Sequence, residues 1–390
     1  MKIGIDVRPL LSSTKNRGIG YYTANVLAEI IAQKDTNYQF VLYKTKTGNL
    51  SDKLKLRESD RFYGIPTLFH PRRGIRRFDP ILSPFWSRAL KVTQPDLLHL
   101  TSFFEVYYLS LPSHVKTVVT LHDLIPILFE KWCFDNELAK QWYWSRLEQI
   151  KRCSKIITIS SSAKKDIIKI LEVPEEKVVV VYGGLDKRFQ MMEKDKVKRI
   201  LVKHGIHNPY FLSVGAPSRH KNVSRIFEAF KNYIKVSKNG SLKLVVVCKL
   251  LPFEREIWQK EIKKIGIAEK VILTNFVSDQ EMPAFYNGAE MLLFPSLYEG
   301  FGLPILEAMA CGIPVITSNV SSMPEVGGEA AFYVNPESVE GIARAVSEIM
   351  GNRGRREEMV KKGLEQVKKF TWEKAAKQTL EVYRQVLSKH

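Results

Sequence analysis

The sequence predicts an α/β protein built from two doubly wound parallel sheets. Short, continuous apolar runs alternate with helical patterns along the chain, as expected of buried parallel strands joined by helical crossovers. The alternation starts afresh at Tyr210-Phe-Leu-Ser-Val-Gly215. With 390 residues, the chain is also longer than one hydrophobic core ordinarily supports.

In the first half, the runs at 2–5, 39–43, 97–100, 116–121, 155–160 and 177–181 are read as strands, with helices at 19–32 and 137–152. In the second half, strands are expected at 210–215, 242–248, 271–273, 291–295, 315–317 and 331–334. The seam should lie near "YGGLDKRFQ" (182–190), where paired glycines meet a charged stretch without periodicity. This sets domains at 1–187 and 188–370. Residues 371–390 are left as one amphipathic helix that opens on a Thr cap.

Apolar content of 45% and aromatic content of 11% indicate a globular protein. No apolar run reaches the length of a membrane span. Met1-Lys-Ile-Gly-Ile-Asp6 leads straight into a strand pattern, which leaves no room for a signal peptide. Cys133, Cys153, Cys248 and Cys311 lack metal-type or redox spacing and are read as reduced thiols of a cytoplasmic protein. The formal charge of +19 calls for anionic partners: a nucleoside diphosphate, a lipid phosphate, an anionic membrane or nucleic acid. A lysine-rich solvated surface would give the same number.

The densest chemistry lies in "YEGFGLPILEAMACGIPVITS" (298–318). It is read as a strand-to-helix loop at the carboxyl end of a parallel strand, where open α/β sheets bind ligands. Gly300, Phe301, Gly302 and Leu303 form the loop, and Pro304 sits in the first turn of the helix, where its missing N–H costs nothing. Gly300 and Gly302 allow close backbone approach, and the helix start suits a phosphate. Glu307 lies about a turn inside, placed to accept both hydroxyls of a ribose. Glu299 stands at the loop mouth, within reach of a sugar. A dipole-matched carboxylate beside glycines that only make a turn is the plainer alternative.

These residues carry a resemblance. "PSLYEGFGLPILEAMACGIPVITSNVSSMPEVGGEAAFYVNP" (295–336) closely resembles the nucleotide-sugar site of the retaining glycosyltransferases of family 4, whose hallmark is two glutamates separated by seven residues, here Glu299 and Glu307. The resemblance implies the GT-B fold: two Rossmann-like domains facing across a cleft, donor chiefly on the C-terminal one, with the last helix returning to the N-terminal one. It also implies metal-independent transfer.

Other constellations fit the same reading. "RGIGYYT" follows the first strand and opens the first helix; its Gly18 and Gly20 let the backbone approach a phosphate or sugar, or make an ordinary tight turn, and the stretch resembles the family's first glycine loop. His122, at a strand end in "VVTLHDLIP", is a structural hydrogen-bonder or, as the resemblance implies, a group that touches the transferred sugar. In "SVGAPSRHKNVSRIFEAF" (213–230), Lys221 matches the lysine that relatives place on the donor diphosphate. Ala216 stands where many relatives carry arginine, so Arg219 or His220 would have to supply a second contact. Val277 matches the base-binding loop. Asp279 reads as a helix cap, or as a carboxylate that accepts from guanine N1–H and N2–H₂ and so nudges the donor towards GDP-sugars.

Residues 53–91 carry ten Lys/Arg against three Asp/Glu, interleaved with Phe62, Tyr63, Phe69, Phe78, Phe85 and Trp86. They suit an anionic membrane surface, a single-stranded nucleic acid, or a solvated loop whose aromatics belong to the core. The pairing of "IGIDVRPL" and "GIGYYT" with "SVGAPSRHKN" most resembles the bacterial mannosyltransferase branch. The expected activity is therefore hexosyl transfer from GDP-mannose, with UDP-glucose or UDP-N-acetylglucosamine in reserve, to a saccharide or lipid-linked acceptor, with no nucleic-acid partner. A sugar-nucleotide epimerase, a phosphorylase and a basic nucleic-acid-binding protein are the alternatives.

Overall fold

The computed structural model describes the chain apart from residues 13–17, 34–36, 46–49, 51–57, 66–78, 103–114, 238–239 and 389–390, and describes only the backbone at 45, 65 and 79–85. The chain divides into two compact units: Met1–Gly184 together with Trp372–His390, and Leu185–Thr371.

Among the described residues, the first unit holds seven parallel strands: β1 (Lys2–Asp6), β2 (Gln39–Thr45), β3 (Arg61–Ile65), β4 (Leu97–Leu100), β5 (Lys116–Thr120), β6 (Lys155–Thr158) and β7 (Val178–Val180), in the order β3-β2-β1-β4-β5-β6-β7. The order reverses between β1 and β4, which creates a switch point at the carboxyl ends of those strands. Inner strands covered on both faces are buried throughout: all four residues of β4, Leu-Leu-His-Leu, are buried, the histidine included. The helix Trp372–Ser388 joins this unit. Trp372, Ala376, Leu380 and Tyr383 pack into one core with Ile3, Val26 and Ile30. Its polar anchor is His99 of β4, whose Nδ1 lies 2.6 Å from the Tyr383 hydroxyl and whose Nε2 lies 2.8 Å from Thr120 Oγ1. Burial pushes the His99 pKa down to about 3, so the bridge is a neutral imidazole.

β3 lies where the sequence suggested an outer interface. Its five residues, Arg-Phe-Tyr-Gly-Ile, form an edge strand paired with β2, and an arginine and a glycine mask the apolar pattern. Phe62 and Tyr63 pack partly against the core. Trp86 is buried, its ring 4.9 Å from that of Tyr43. The described aromatics of 53–91 therefore serve the core. Phe69, Phe78 and most of the basic residues of that stretch, Arg72, Arg73, Arg76 and Arg77 among them, lie outside the described residues.

The second unit holds six parallel strands among the described residues: β8 (Tyr210–Val214), β9 (Lys243–Val247), β10 (Val271–Leu273), β11 (Met291–Phe294), β12 (Val315–Ser318) and β13 (Phe332–Val334), in the order β10-β9-β8-β11-β12-β13. Its reversal lies between β8 and β11, where Phe211 pairs with Met291 and Leu212 with Leu292. Helix Val223–Val236 packs Ile226, Phe227 and Phe230 onto this sheet. No described helix is long and apolar enough to cross a membrane. All four cysteines are free; Cys133 is exposed and the other three are buried.

Candidate functional site

The second switch point brings together two loops, one leaving β8 and one leaving β11. Glu299, only 6% exposed, stands on the β11 loop. Lys221 comes from the β8 loop, and its ammonium donates to both carboxylate oxygens, at 2.7 and 2.8 Å. Neither loop is held by chance. The Asn222 backbone is left-handed (φ +61°), and its carboxamide donates to the carbonyls of Pro295 (2.8 Å) and Pro336 (2.7 Å). The Leu297 amide bonds the His220 carbonyl at 2.7 Å. Ser321 and Ser322 donate to the Glu299 carbonyl at 2.7 and 2.9 Å, and Ser322 also reaches the Phe301 carbonyl at 2.6 Å. Asn222, Ser321 and Ser322 were missed as positioning groups in the sequence. Small polar residues in loops give no sign there of which carbonyl they will meet.

Arg219 shares one tight helical turn with His220 and Lys221 and is exposed, as is Ala216. His220 is pushed down from its usual range by burial, against the pull of the Glu299 charge.

Beyond Glu299 the chain turns through Gly300, Phe301 and Gly302 into the helix Leu303–Ala310. Gly302 has φ +114°, a conformation a side chain would strain, and Pro304 sits in the first turn as expected. Phe301 is buried, with its ring 5.7 Å from that of Phe370. Glu307, a turn into the helix, accepts a 2.5 Å hydrogen bond from the Tyr286 hydroxyl at Oε2. Burial pushes the Glu307 carboxyl up to about 7; the Tyr286 bond and the Arg188 charge pull against this, while Asp186 and Asp279 add to it. Arg188 is bound to Asp186 at 2.6 Å and lies 3.5 Å from Asp279. The "YGGLDKRFQ" stretch, read as a seam, thus also supplies charge to this site.

Val277 is buried in the loop after β10, while Asp279 is more than half exposed. Asp279 is not a helix cap. The amides of Glu281 and Met282 both bond the Ser278 carbonyl at 3.0 Å, and the helix Met282–Asn287 starts only after that turn.

In the first unit, Gly18 opens the helix Gly18–Ala32, and among the described residues a methyl added to it would meet nothing within 4 Å. Gly20 is buried. One turn on, the Tyr22 ring stands edge-on to His122, 5.3 Å away. His122 follows β5; its Nε2 lies 3.3 Å from the Thr101 carbonyl, and burial pushes its pKa down to about 4. A neutral imidazole is therefore in place across the physiological range, suited to hydrogen bonding rather than to shuttling protons.

A reversal of strand order in each of two parallel sheets, with a lysine–glutamate pair at the second reversal and a further glutamate eight positions on, is the architecture of the GT-B class. Residues 17–189 match the model described as Glycosyltransferase Family 4, and residues 196–366 match that described as Glycosyl transferases group 1. The chain thus carries both of these glycosyltransferase domains, which together span most of its length. It is 27% identical, over 99% of its own length, to the serotype-specific mannosyltransferase WbdA of Escherichia coli, and spans about half (48%) of that longer protein. It is 30% identical to the O-antigen chain mannosyltransferase RfbU of Salmonella typhimurium over 62% of each chain. Among solved structures, sucrose-phosphate synthase from Thermosynechococcus elongatus shares the fold with a TM-score of 0.78 at 20% identity, over 100% of both chains.

Proposed function

We propose that this protein transfers mannose from GDP-mannose, with retention at the anomeric carbon, to a saccharide or lipid-linked acceptor in the synthesis of a cell-surface polysaccharide. The observation that carries this reading is the Lys221–Glu299 pair at the second switch point, with Glu307 on the helix that follows. In this reading Lys221 meets the donor diphosphate, with Arg219 beside it as the second cation. Glu299 polarises the sugar, and Glu307 holds the ribose through its hydroxyls. Val277 and Asp279 meet the base, while Gly300, Phe301, Gly302 and Leu303 bring backbone N–H groups to the phosphates. Gly18 and Gly20 give a ligand close approach to the first unit, and neutral His122 bonds a sugar hydroxyl.

Positive side chains and helix N–H groups would stabilise the leaving diphosphate by electrostatics, so no metal is required. The departing phosphate would accept the acceptor's proton as the new glycosidic bond forms on the same face. The names of WbdA and RfbU support mannose and O-antigen-type chains. Residues 53–91 are proposed to hold the enzyme on the inner face of an anionic membrane. Replacing Arg72, Arg73, Arg76 and Arg77 by Ser should then abolish liposome co-sedimentation at low salt, and undiminished sedimentation would remove this stretch as the anchor.

The test of the main reading is thermal shift across GDP- and UDP-sugars, followed by turnover assays. GDP-mannose should raise the melting temperature most, since a tight ligand stabilises by mass action. A UDP-sugar in that place overturns the donor assignment. Turnover without an acceptor would indicate an epimerase, and dependence on inorganic phosphate a phosphorylase. Salt-sensitive nucleic-acid binding without nucleotide affinity would overturn the transferase reading.

A further inference from the structure

Tyr286 is buried to 0% exposure in the short helix Met282–Asn287. A buried tyrosine hydroxyl needs a partner, and this one has a carboxylate: it donates to Glu307 Oε2 at 2.5 Å. The ring itself is fixed, with Phe189 edge-on at 5.7 Å. The bond spans two elements, since Glu307 belongs to the helix after β11 and Tyr286 to the helix before it. Burial and the neighbouring Glu307 charge raise the phenol's pKa well above its usual value, so it stays protonated and can only donate here.

We propose that Tyr286 is a positioning residue for nucleoside-diphosphate binding: it holds Glu307 Oε2 so that the carboxylate presents Oε1 to the ribose diol. The inference deepens the reading of Glu307 as the ribose-binding group and rests on it. A carboxylate half-turned about its last torsion cannot accept from two vicinal hydroxyls at once, because that torsion is broad and only contacts fix it. Tyr286 supplies such a contact without touching the nucleotide.

The carboxylate's charge environment also passes through this bond. The groups facing Glu307 are Tyr286, Arg188 and Asp186 from the segment that opens the second unit, Asp279 from the loop after β10, and Cys311 at the end of its own helix. Tyr286 and Arg188 favour the ionised carboxylate that the hydroxyls need, while burial and the two aspartates oppose it. Removing the tyrosine O–H should therefore make Glu307 take up its proton at higher pH.

The experiment is calorimetric binding of GDP and of 2′,3′-dideoxy-GDP to the full chain and to Tyr286→Phe, Glu307→Gln and the double variant, from pH 6 to 9. Tyr286→Phe removes one oxygen and keeps the ring. It should weaken GDP about tenfold at pH 8, as expected for a hydrogen bond to a charged group, and move the acid limb of the binding profile to higher pH. Dideoxy-GDP should bind Tyr286→Phe and the unmodified chain alike. In the double variant, Tyr286→Phe should add little to Glu307→Gln. Full additivity, an unmoved acid limb, or an equal loss of dideoxy-GDP affinity makes Tyr286 merely structural and overturns the inference. If the unmodified chain binds the two nucleotides equally, it is the ribose assignment of Glu307 that fails, and with it the basis for this inference. If the unmodified chain binds neither nucleotide, the donor reading fails as well.

Discussion

The Lys221 ammonium donates to both oxygens of Glu299, a residue only 6% exposed, at 2.7 and 2.8 Å. The two groups assigned to the donor's phosphate and to its sugar therefore satisfy one another in this structure. The pair explains how two ions can be kept in one sheltered loop cluster: each offsets part of the other's penalty for leaving water. A diphosphate that takes Lys221 would release the carboxylate towards the sugar.

The two partners should accordingly fail in different ways. Glu299→Gln should lower kcat about a hundredfold or more, because charge develops on the sugar ring as its bond to phosphate breaks. GDP affinity should be unchanged or slightly tighter, since a competitor for Lys221 has gone. Lys221→Met should weaken GDP and also destabilise the free protein by about 1–3 kcal/mol, the cost of a sheltered carboxylate left without its cation. Loss of GDP affinity in Glu299→Gln would reverse the two roles.

Glu307→Gln should chiefly raise the donor KM, because the ribose does not change during transfer. The unmodified enzyme should lose donor affinity as pH falls through about 7, where the Glu307 carboxyl takes up its proton. The stability effect has the opposite sense. With its pKa raised in the folded state, the group binds more protons folded than unfolded, so its contribution to stability is present at low pH and lost as pH rises through about 7. Glu307→Gln should thus raise the melting temperature of the free protein at pH 8.5 and leave it nearly unchanged at pH 5. An equal effect at both pH values would show that burial does not govern this carboxyl.

Two glycines separate function from backbone need. Gly18→Ala has free space around the added methyl among the described residues and should leave the melting temperature within about 2 °C of the original. Its activity should nevertheless drop if a ligand's close approach requires the bare backbone. Gly302→Ala must adopt φ +114° and should lose stability by about 1 kcal/mol or more. Full activity in a stable Gly18→Ala would leave that glycine the first residue of its helix and nothing else.

Dialysis against EDTA should leave transfer unchanged if Lys221 and the neighbouring N–H groups meet the diphosphate charge as proposed. Activity that disappears with chelation and returns with a divalent cation would place a metal in the mechanism.

Much of this was legible along the chain because parallel strands covered on both faces carry continuous apolar runs, a signal internal to each segment. Strands β1, β4 and β10 lie where those runs predicted. The edge strand β3 was not visible: "RFYGI" pairs through its backbone on one side, and its side chains form no continuous apolar run. The Glu299 and Glu307 spacing was equally readable, since both stand on one continuous loop and helix.

What the sequence by itself determined is the alternation of strands and helices, the place where it restarts, and the local geometry of the glycine-opened loop from Glu299 to Glu307. Each of these depends on neighbours a few residues away. Only the tertiary structure decided that Lys221 would close on Glu299, that Tyr286 would hold Glu307, and that Arg188 would stand between Asp186 and Asp279. Those pairs are 78 residues apart in the first case and 21 in the second. Their electrostatics depend on burial and on which strands lie side by side at the reversal of the sheet, which no local pattern of residue types encodes.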